Sequence, residues 1–427
     1  MEILNRKSAP ESKAIENIKL IKPETEVLPN GINLYYIDAS DADLVRVEFM
    51  FPNLQWRASE PLAIGAANSM LNEGTTHYSA SQLADKIDFY GAFYQHEAGF
   101  DHSSVTLYSL NKHLKSTLPI IKEIITEASF PEQELATYIQ NSKQKLQVNL
   151  QKNDFVARKK FNEVLFGAGA YYGYNVSLAD YQGLTREQLV QIRNRQYTAS
   201  NCTIIISGKV KAEERALVAE LFGTADWLSN EKIELNKSVF SSSQTIAHLV
   251  EKPDALQSAI RLGKPLINKT HPDFQAVQVL NTVLGGYFGS RLMSNIREDK
   301  GYTYGIGSAI VSLKDAGYFF VATEVGADVC ANALTEIYKE IELLKNELIP
   351  EQELNLVRNY MQGSFLGSLE NAFSHADKFK GILFYGLDYD FYDRFFDTIK
   401  SITPQRLQQL ANEYFTGDFY EVVVGKK

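Results

Sequence analysis

The sequence predicts an α+β protein made of two similar, duplicated halves, each a mostly antiparallel sheet covered by helices. Three observations carry that reading. The segment Phe130-Pro131-Glu132-Gln133-Glu134-Leu135 returns about 219 positions later as Ile349-Pro350-Glu351-Gln352-Glu353-Leu354. Each half also ends alike: Leu184-Thr185-Arg186-Glu187-Gln188-Leu189 leads to Thr203-Ile204-Ile205-Ile206 and Gly208-Lys209. Its counterpart, Ile402-Thr403-Pro404-Gln405-Arg406-Leu407, leads to Glu421-Val422-Val423-Val424 and Gly425-Lys426. Finally, strand-like and helix-like stretches follow one another in the same order in both halves, with strands adjacent and helices segregated.

The elements follow in order. Residues 1–22 read as an N-terminal arm, 23–228 as the first α+β domain, 229–245 as a polar, serine-rich linker and 246–427 as the second domain. Residues 31–37 and 44–51 alternate or run apolar as strands do, and 61–72 and 79–90 are helical. Ser79 with Gln82, and Thr185 with Gln188, have capping-box spacing, and Thr403 before Pro404 is an N-cap. Residues 92–96 and 103–110 form a hairpin turning at Ala98-Gly99-Phe100. Pro131 and Pro350 are expected at the first position of their helices, with acids in the first turn where the helix dipole favours them.

Composition excludes several functions. The net charge is −9, which argues against a phosphate-backbone nucleic-acid binder or a polybasic membrane-surface protein. No stretch approaches the ~18–20 apolar residues of a membrane span, and the first ten residues carry no apolar run of signal length. The expectation is a cytoplasmic protein, with the sequons at Asn175, Asn236 and Asn268 idle. The two cysteines, Cys202 and Cys330, lie in different halves, so neither a disulfide framework nor a cysteine zinc site is expected. Gly285-Gly286-Tyr287-Phe288-Gly289 lacks the Lys and spacing of a phosphate loop and is read as a junction needing tight backbone geometry. Tyr171-Tyr172-Gly173-Tyr174 and Phe384-Tyr385 are read as core or chamber lining.

Four segments together resemble the insulinase/mitochondrial-processing-peptidase (M16) family. They are Leu71-Asn72-Glu73-Gly74-Thr75 with Ser81-Gln82-Leu83; residues 91–105; Lys152-Asn153-Asp154-Phe155 leading to Val164-Leu165-Phe166-Gly167; and Gly289-Ser290-Arg291-Leu292 with Ile296-Arg297-Glu298-Asp299-Lys300-Gly301-Tyr302-Thr303-Tyr304. The family's peptidases carry H-x-x-E-H on a helix, with two imidazoles on one face to grip zinc and a glutamate to activate the bound water. A later glutamate completes the ligand set. Aligned on Gly74-Thr75, that motif falls on Gly65-Ala66-Ala67-Asn68-Ser69, and the later glutamate falls near Gln147. Gly65, Asn68, Ser69 and Gln147 are therefore degenerate zinc-motif positions, and no metal is expected in this chain.

What the resemblance retains is Arg297 and Tyr304. In the family an Arg and a Tyr at this spacing reach from the second half to hold the scissile carbonyl and its developing oxyanion, as a fixed cation and a phenol donor can. Arg297 is expected in the last helical turn, Gly301 just past it and Tyr304 on the following strand. The resemblance thus implies a short bacterial-type subunit, inactive alone, whose catalytic Arg297 and Tyr304 serve in trans. Zinc is expected in a heterodimeric partner bearing H-x-x-E-H, with peptides as substrates. A non-catalytic scaffold or peptide-binding homodimer is the alternative. A third reading uses His96 and His102, which a hairpin turning at Gly99 is expected to set opposite one another as a metal pair; a plain polar cross-strand pair is the favoured account.

Overall fold

The computed structural model describes residues 15, 18–227 and 239–427. Most of the expected arm (1–14, 16 and 17), most of the linker (229–238) and Asn236 lie outside these residues. The first half comprises β1 (Glu24–Val27), β2 (Asn33–Asp38), β3 (Leu44–Pro52), α1 (Ala63–Ser69), α2 (Ala80–Phe89), β4 (Phe93–Ala98) and β5 (His102–Leu110). It continues through α3 (Leu114–Glu127), α4 (Glu132–Leu150), α5 (Asn153–Phe166), α6 (Arg186–Gln196), β6 (Thr203–Gly208) and α7 (Ala212–Phe222). The second comprises β7 (Ala247–Glu251), β8 (Gln257–Leu266), α8 (Phe274–Gly285), a π-helix (Met293–Asp299), β9 (Ile306–Ser312) and β10 (Gly317–Gly326). After it come α9 (Cys330–Asn346), α10 (Glu351–Gly367), α11 (Ala372–Leu383), α12 (Asp390–Ser401), α13 (Pro404–Tyr414) and β11 (Tyr420–Gly425).

The two sheets run β1-β2-β6-β3-β5-β4 and β7-β11-β8-β10-β9. In each, one pair is parallel (β2 with β6, β7 with β11) and every other pair antiparallel. The duplication is thus a duplication of topology, and the α+β reading holds. Local signals fall where expected: both capping boxes form, at Ser79 with Gln82 and Thr185 with Gln188, and Thr403 accepts from the Arg406 amide. Pro131 and Pro350 occupy the cap position itself, one residue before the helix, rather than the first helical position. Cys202 and Cys330 are buried, free thiols. Among the described residues no helix is long and apolar enough to cross a membrane.

One face of each sheet packs on helices of its own half, with Phe49, Leu107 and Ile206 in the first core and Leu262, Phe319 and Val423 in the second. The opposite faces are covered by exchange. Helix α5, from the first half of the sequence, packs on β8 and β11 of the second sheet, where Phe161 and Leu165 meet Ala259, Val422 and Val424. Helix α11, from the second half, packs on β2 and β6, and its Ala376, Phe379 and Ile382 cluster with Ile37 of β2, Ile205 of β6 and Met50 of β3. Each large side chain so buried contributes about 1.5–3 kcal/mol.

The α11 seam also carries a buried ionic cluster. Glu48, 3% exposed, lies 2.7 Å from both Arg46 and Lys380, and Asp377 lies 3.0 Å from Arg46 and 3.3 Å from Lys380. At the α5 seam the matching strand position, facing Val422 as Glu48 faces Ile205, is Arg261, whose guanidinium lies over the Phe320 ring. The arm crosses to the other half as well: the Ile21 amide donates to His375 Nδ1, and the Tyr389 hydroxyl donates to the Ile21 carbonyl.

Candidate functional site

Helix α1 carries the degenerate zinc positions. Ala66 and Ala67 are buried on its core face, letting the helix sit close to the sheet. Asn68 is fully buried; its Nδ2 donates to the Ser104 carbonyl (3.3 Å) and the Tyr197 hydroxyl (3.0 Å), while its Oδ1 has no partner. Burial pushes the Tyr197 phenol up to about 12, so it stays a neutral hydroxyl. Gly65 is half-buried with open space where a Cβ would stand, so a side chain there is absent by sequence, not by steric exclusion. These residues do not fit zinc: none is an imidazole, thiolate or carboxylate, and Asn68 is committed to two internal hydrogen bonds. Among the described residues no cluster of three or more His, Cys, Asp or Glu could hold a metal ion.

Ser69 opens onto a groove of about 460 Å³. Helix α4 lines it with Tyr138, Ser142, Lys145, Leu146 and Asn149, α5 with Phe155 and Lys159, and the segment beyond α5 with Tyr174, Val176 and Tyr181. The Tyr138 phenol is within hydrogen-bonding reach of Ser69 and Ser142. Gln147 requires a correction: it is exposed and does not line the groove. Helical periodicity puts Tyr138, Ser142 and Leu146 on the face towards Ser69, and Gln147 lies one residue round from it.

The two histidines are not a pair. Residue His96 stands opposite Val105, whereas His102 stands opposite Pro52 of β3, and its carbonyl accepts from the Gly99 amide. Direct cross-strand partners share a face and successive residues alternate, so His96 faces with Val105, and His102, three residues before Val105, faces the other way. The His102 ring meets Phe384 of the second half at 3.9 Å between centroids, and burial lowers its pKa to about 4. The expectation of facing imidazoles fails because the hairpin register differs from a symmetric turn at Gly99.

In the second half, Arg297 lies in the last turn of the π-helix and Gly301 follows at φ +64°. Tyr304 is not on the strand, as expected, but in the bend two residues before β9, and it is 91% exposed. The bend is fixed by Thr303, whose hydroxyl donates to the Glu324 carbonyl at 2.7 Å. Arg297 stands over the ring of Phe288 at 4.6 Å, a contact the sequence offered no sign of, and Phe288 is itself 62% exposed. The glycines before Phe288 serve close approach: a Cβ on Gly285 would lie 2.5 Å from Ser308 Oγ, and one on Gly286 2.7 Å from Thr282 Cα. Arg297, half-buried, and Phe288, exposed, therefore make a cation–aromatic contact, and Tyr304 is exposed in the bend beyond the π-helix. None of the three lines the α1 groove.

The chain is similar to known proteins along most of its length. Residues 183–361 match the family described as Peptidase M16 inactive domain. The chain is 24% identical over 356 residues to a Bacillus subtilis (strain 168) protein named "Uncharacterized zinc protease YmxG", covering 82% of this chain and 85% of that one. It is 22% identical over 355 residues to the "Non-peptidase homolog YmxG" of Helicobacter pylori, covering 81% and 80%. Among solved structures it resembles a peptidase M16 inactive domain from Pseudomonas fluorescens (TM-score 0.82, 22% identity, 95% and 98% of the two chains). It also resembles a protease from Helicobacter pylori (TM-score 0.84, 18% identity, 96% and 100%). The resemblance to the M16 family read from the sequence is borne out.

Proposed function

Starting from a chain that is M16-like along most of its length and matches the family's inactive domain over residues 183–361, we propose that it is the non-zinc subunit of a heterodimeric M16-type metallopeptidase. The observation that carries the reading is the division of labour between its halves. The α1 positions Gly65, Asn68 and Ser69 offer no metal ligand or general base, whereas the other half carries Arg297, half-buried, and Tyr304, 91% exposed. The partner, of similar length and bearing H-x-x-E-H, would hold the zinc. Arg297 would supply its guanidinium, oriented by Phe288, and Tyr304 its phenol O–H, both towards the scissile carbonyl's oxygen. The substrate would be a peptide in extended form. Strand β4, the edge of the first sheet around Gln95, offers free backbone groups for strand addition.

The test is reconstitution of the purified chain with an H-x-x-E-H subunit, assayed on a fluorogenic peptide. Arg297→Ala and Tyr304→Phe should each lower kcat by about 10²–10³-fold, the range for one oxyanion donor, with the heterodimer intact by size-exclusion chromatography. Unchanged turnover by both variants refutes the role. The second reading, a non-catalytic scaffold or peptide-binding homodimer, draws on the Helicobacter pylori relative's name as a non-peptidase homolog. It predicts no turnover with any such partner and a dimer of the chain alone.

A further inference from the structure

The groove beside Ser69 has a chemistry of its own. Two ammonium groups, Lys145 and Lys159, share it with the hydroxyls of Ser69, Tyr138, Ser142 and Tyr181, and none of the side chains lining it is a carboxylate. This stands out in a chain of net charge −9. The fold does not require such a lining. In the second half the matching face of α10 presents Met361 and Phe365, and the cavity there, about 350 Å³, is lined by Phe274, Phe391, Tyr392 and Phe395 with one ammonium, Lys269, where the first groove has two. The polar groove is thus a property of these residues rather than of the topology.

Its donors are available. Lys159 gives one hydrogen bond, to the Val176 carbonyl at 2.6 Å, leaving two N–H groups. The acids that act on Lys159 are Asp180 and Glu163. Both are engaged elsewhere: Asp180 accepts from Tyr174 and Ser177, and Glu163 from Lys160 and Asn175. Lys145 is exposed and pairs with no carboxylate among the described residues. Burial raises the pKa of Tyr138 and of Tyr181, so both phenols remain protonated donors at neutral pH. The lining offers no arginine fork, and Ser69 sits at the C-terminal, partially negative end of α1. A single-charged, hydroxyl-solvated group suits this set better than a phosphate dianion.

From these contacts we infer that the groove is a binding site for a carboxylate-bearing peptide, held by Lys145 and Lys159 with Tyr138 and Ser69 donating to the same group. The site is independent of Arg297, Tyr304 and any partner subunit, so it is tested on the chain alone. A built-in reporter exists: Trp56 lies 5.1 Å from the ring of Tyr174, which lines the groove, and 5.6 Å from Tyr171.

The probes are tri-alanine with a free C-terminus, its C-terminal amide, N-acetyl-glutamate amide and inorganic phosphate, each titrated against Trp56 fluorescence and by calorimetry. Binding of either carboxylate probe, about tenfold or more tighter than the amide, is expected, since one charge-assisted pair is lost in the amide. Preference for tri-alanine would identify a C-terminal carboxylate and preference for N-acetyl-glutamate amide an acidic side chain. Lys145→Gln and Lys159→Gln should each weaken the acid about tenfold and leave the amide unchanged. Lys145 is exposed, so its variant keeps the fold even if Lys159→Gln does not. Equal affinity for acid and amide, insensitivity to Lys145→Gln, or tighter binding of phosphate than of either carboxylate would overturn the inference.

Discussion

Replacing Phe161 by alanine should loosen both halves of the chain at once, although by sequence the residue belongs only to the first. Phe161 is 1% exposed on α5 and packs over the second sheet, its ring 6.2 Å from that of Tyr318. The ring tip is seated against the backbone of Gly263, where even a Cβ would lie 2.8 Å from Phe161 Cζ. Gly263 has no side chain with which to fill the space vacated, and β8 is held by strands on both sides, so the void collapses little. The cost belongs in the usual range for a buried phenylalanine, about 3–5 kcal/mol. That is a shift of roughly 10² to 4 × 10³-fold in the folding equilibrium. Urea unfolding followed by tryptophan fluorescence and by far-UV circular dichroism is the assay, because both tryptophans, Trp56 and Trp227, lie in the first half. If the exchanged helices make the halves one cooperative unit, both signals move together to lower urea. A tryptophan transition that stays in place while the circular dichroism splits or shifts would show that the halves unfold separately, and the argument from helix exchange would fail.

The remaining predictions concern buried polar groups. Glu48→Gln leaves Arg46 and Lys380 facing one another with less compensation and should cost about 3–5 kcal/mol, read as a lowered urea midpoint; a loss below about 1 kcal/mol would mean that Asp377 alone balances both cations. Lys380 has its pKa raised above the ordinary 10.5 by Glu48 and Asp377, against the opposing effect of burial. Its contribution is therefore complete below pH 10.5 and fades as pH rises through the folded value, a loss that Lys380→Met should abolish from an alkaline melting series. His102 shows the opposite sign: with a folded pKa of about 4 against the usual 6.5, the unfolded chain binds more protons between those values. Stability should fall as pH drops through that window, His102→Gln should remove the one-proton slope, and an NMR titration of His102 near 6.5 would contradict it. Asn68→Ala strips partners from the Ser104 carbonyl and the Tyr197 hydroxyl and should cost about 1–3 kcal/mol in chemical unfolding. An unchanged midpoint would show that Asn68 is not the structural residue its burial indicates.

What the sequence by itself determined is what short-range chemistry writes into it. The repeated Pro-Glu-Gln-Glu-Leu and the matching strand ends disclosed the duplication because capping, dipole and periodicity act within a few residues, and both capping boxes formed as read. That Gly65, Asn68 and Ser69 offer no imidazole or carboxylate was equally legible, since side-chain chemistry is the same in any fold. Register and exchange were decided only by tertiary structure. His96 and His102 parted because strand register fixes which face each side chain takes, and register is set by β3 and β5 pairing over distances the hairpin sequence does not contain. Gln147 fell off the groove for the same reason on a helix, where a single-residue error in alignment rotates the side chain by about 100°. Helix α5 on the second sheet, α11 on the first, and Ser69 brought to Tyr138 at the groove all join residues remote in sequence. Such contacts carry no local periodicity, and only the packed chain brings them together.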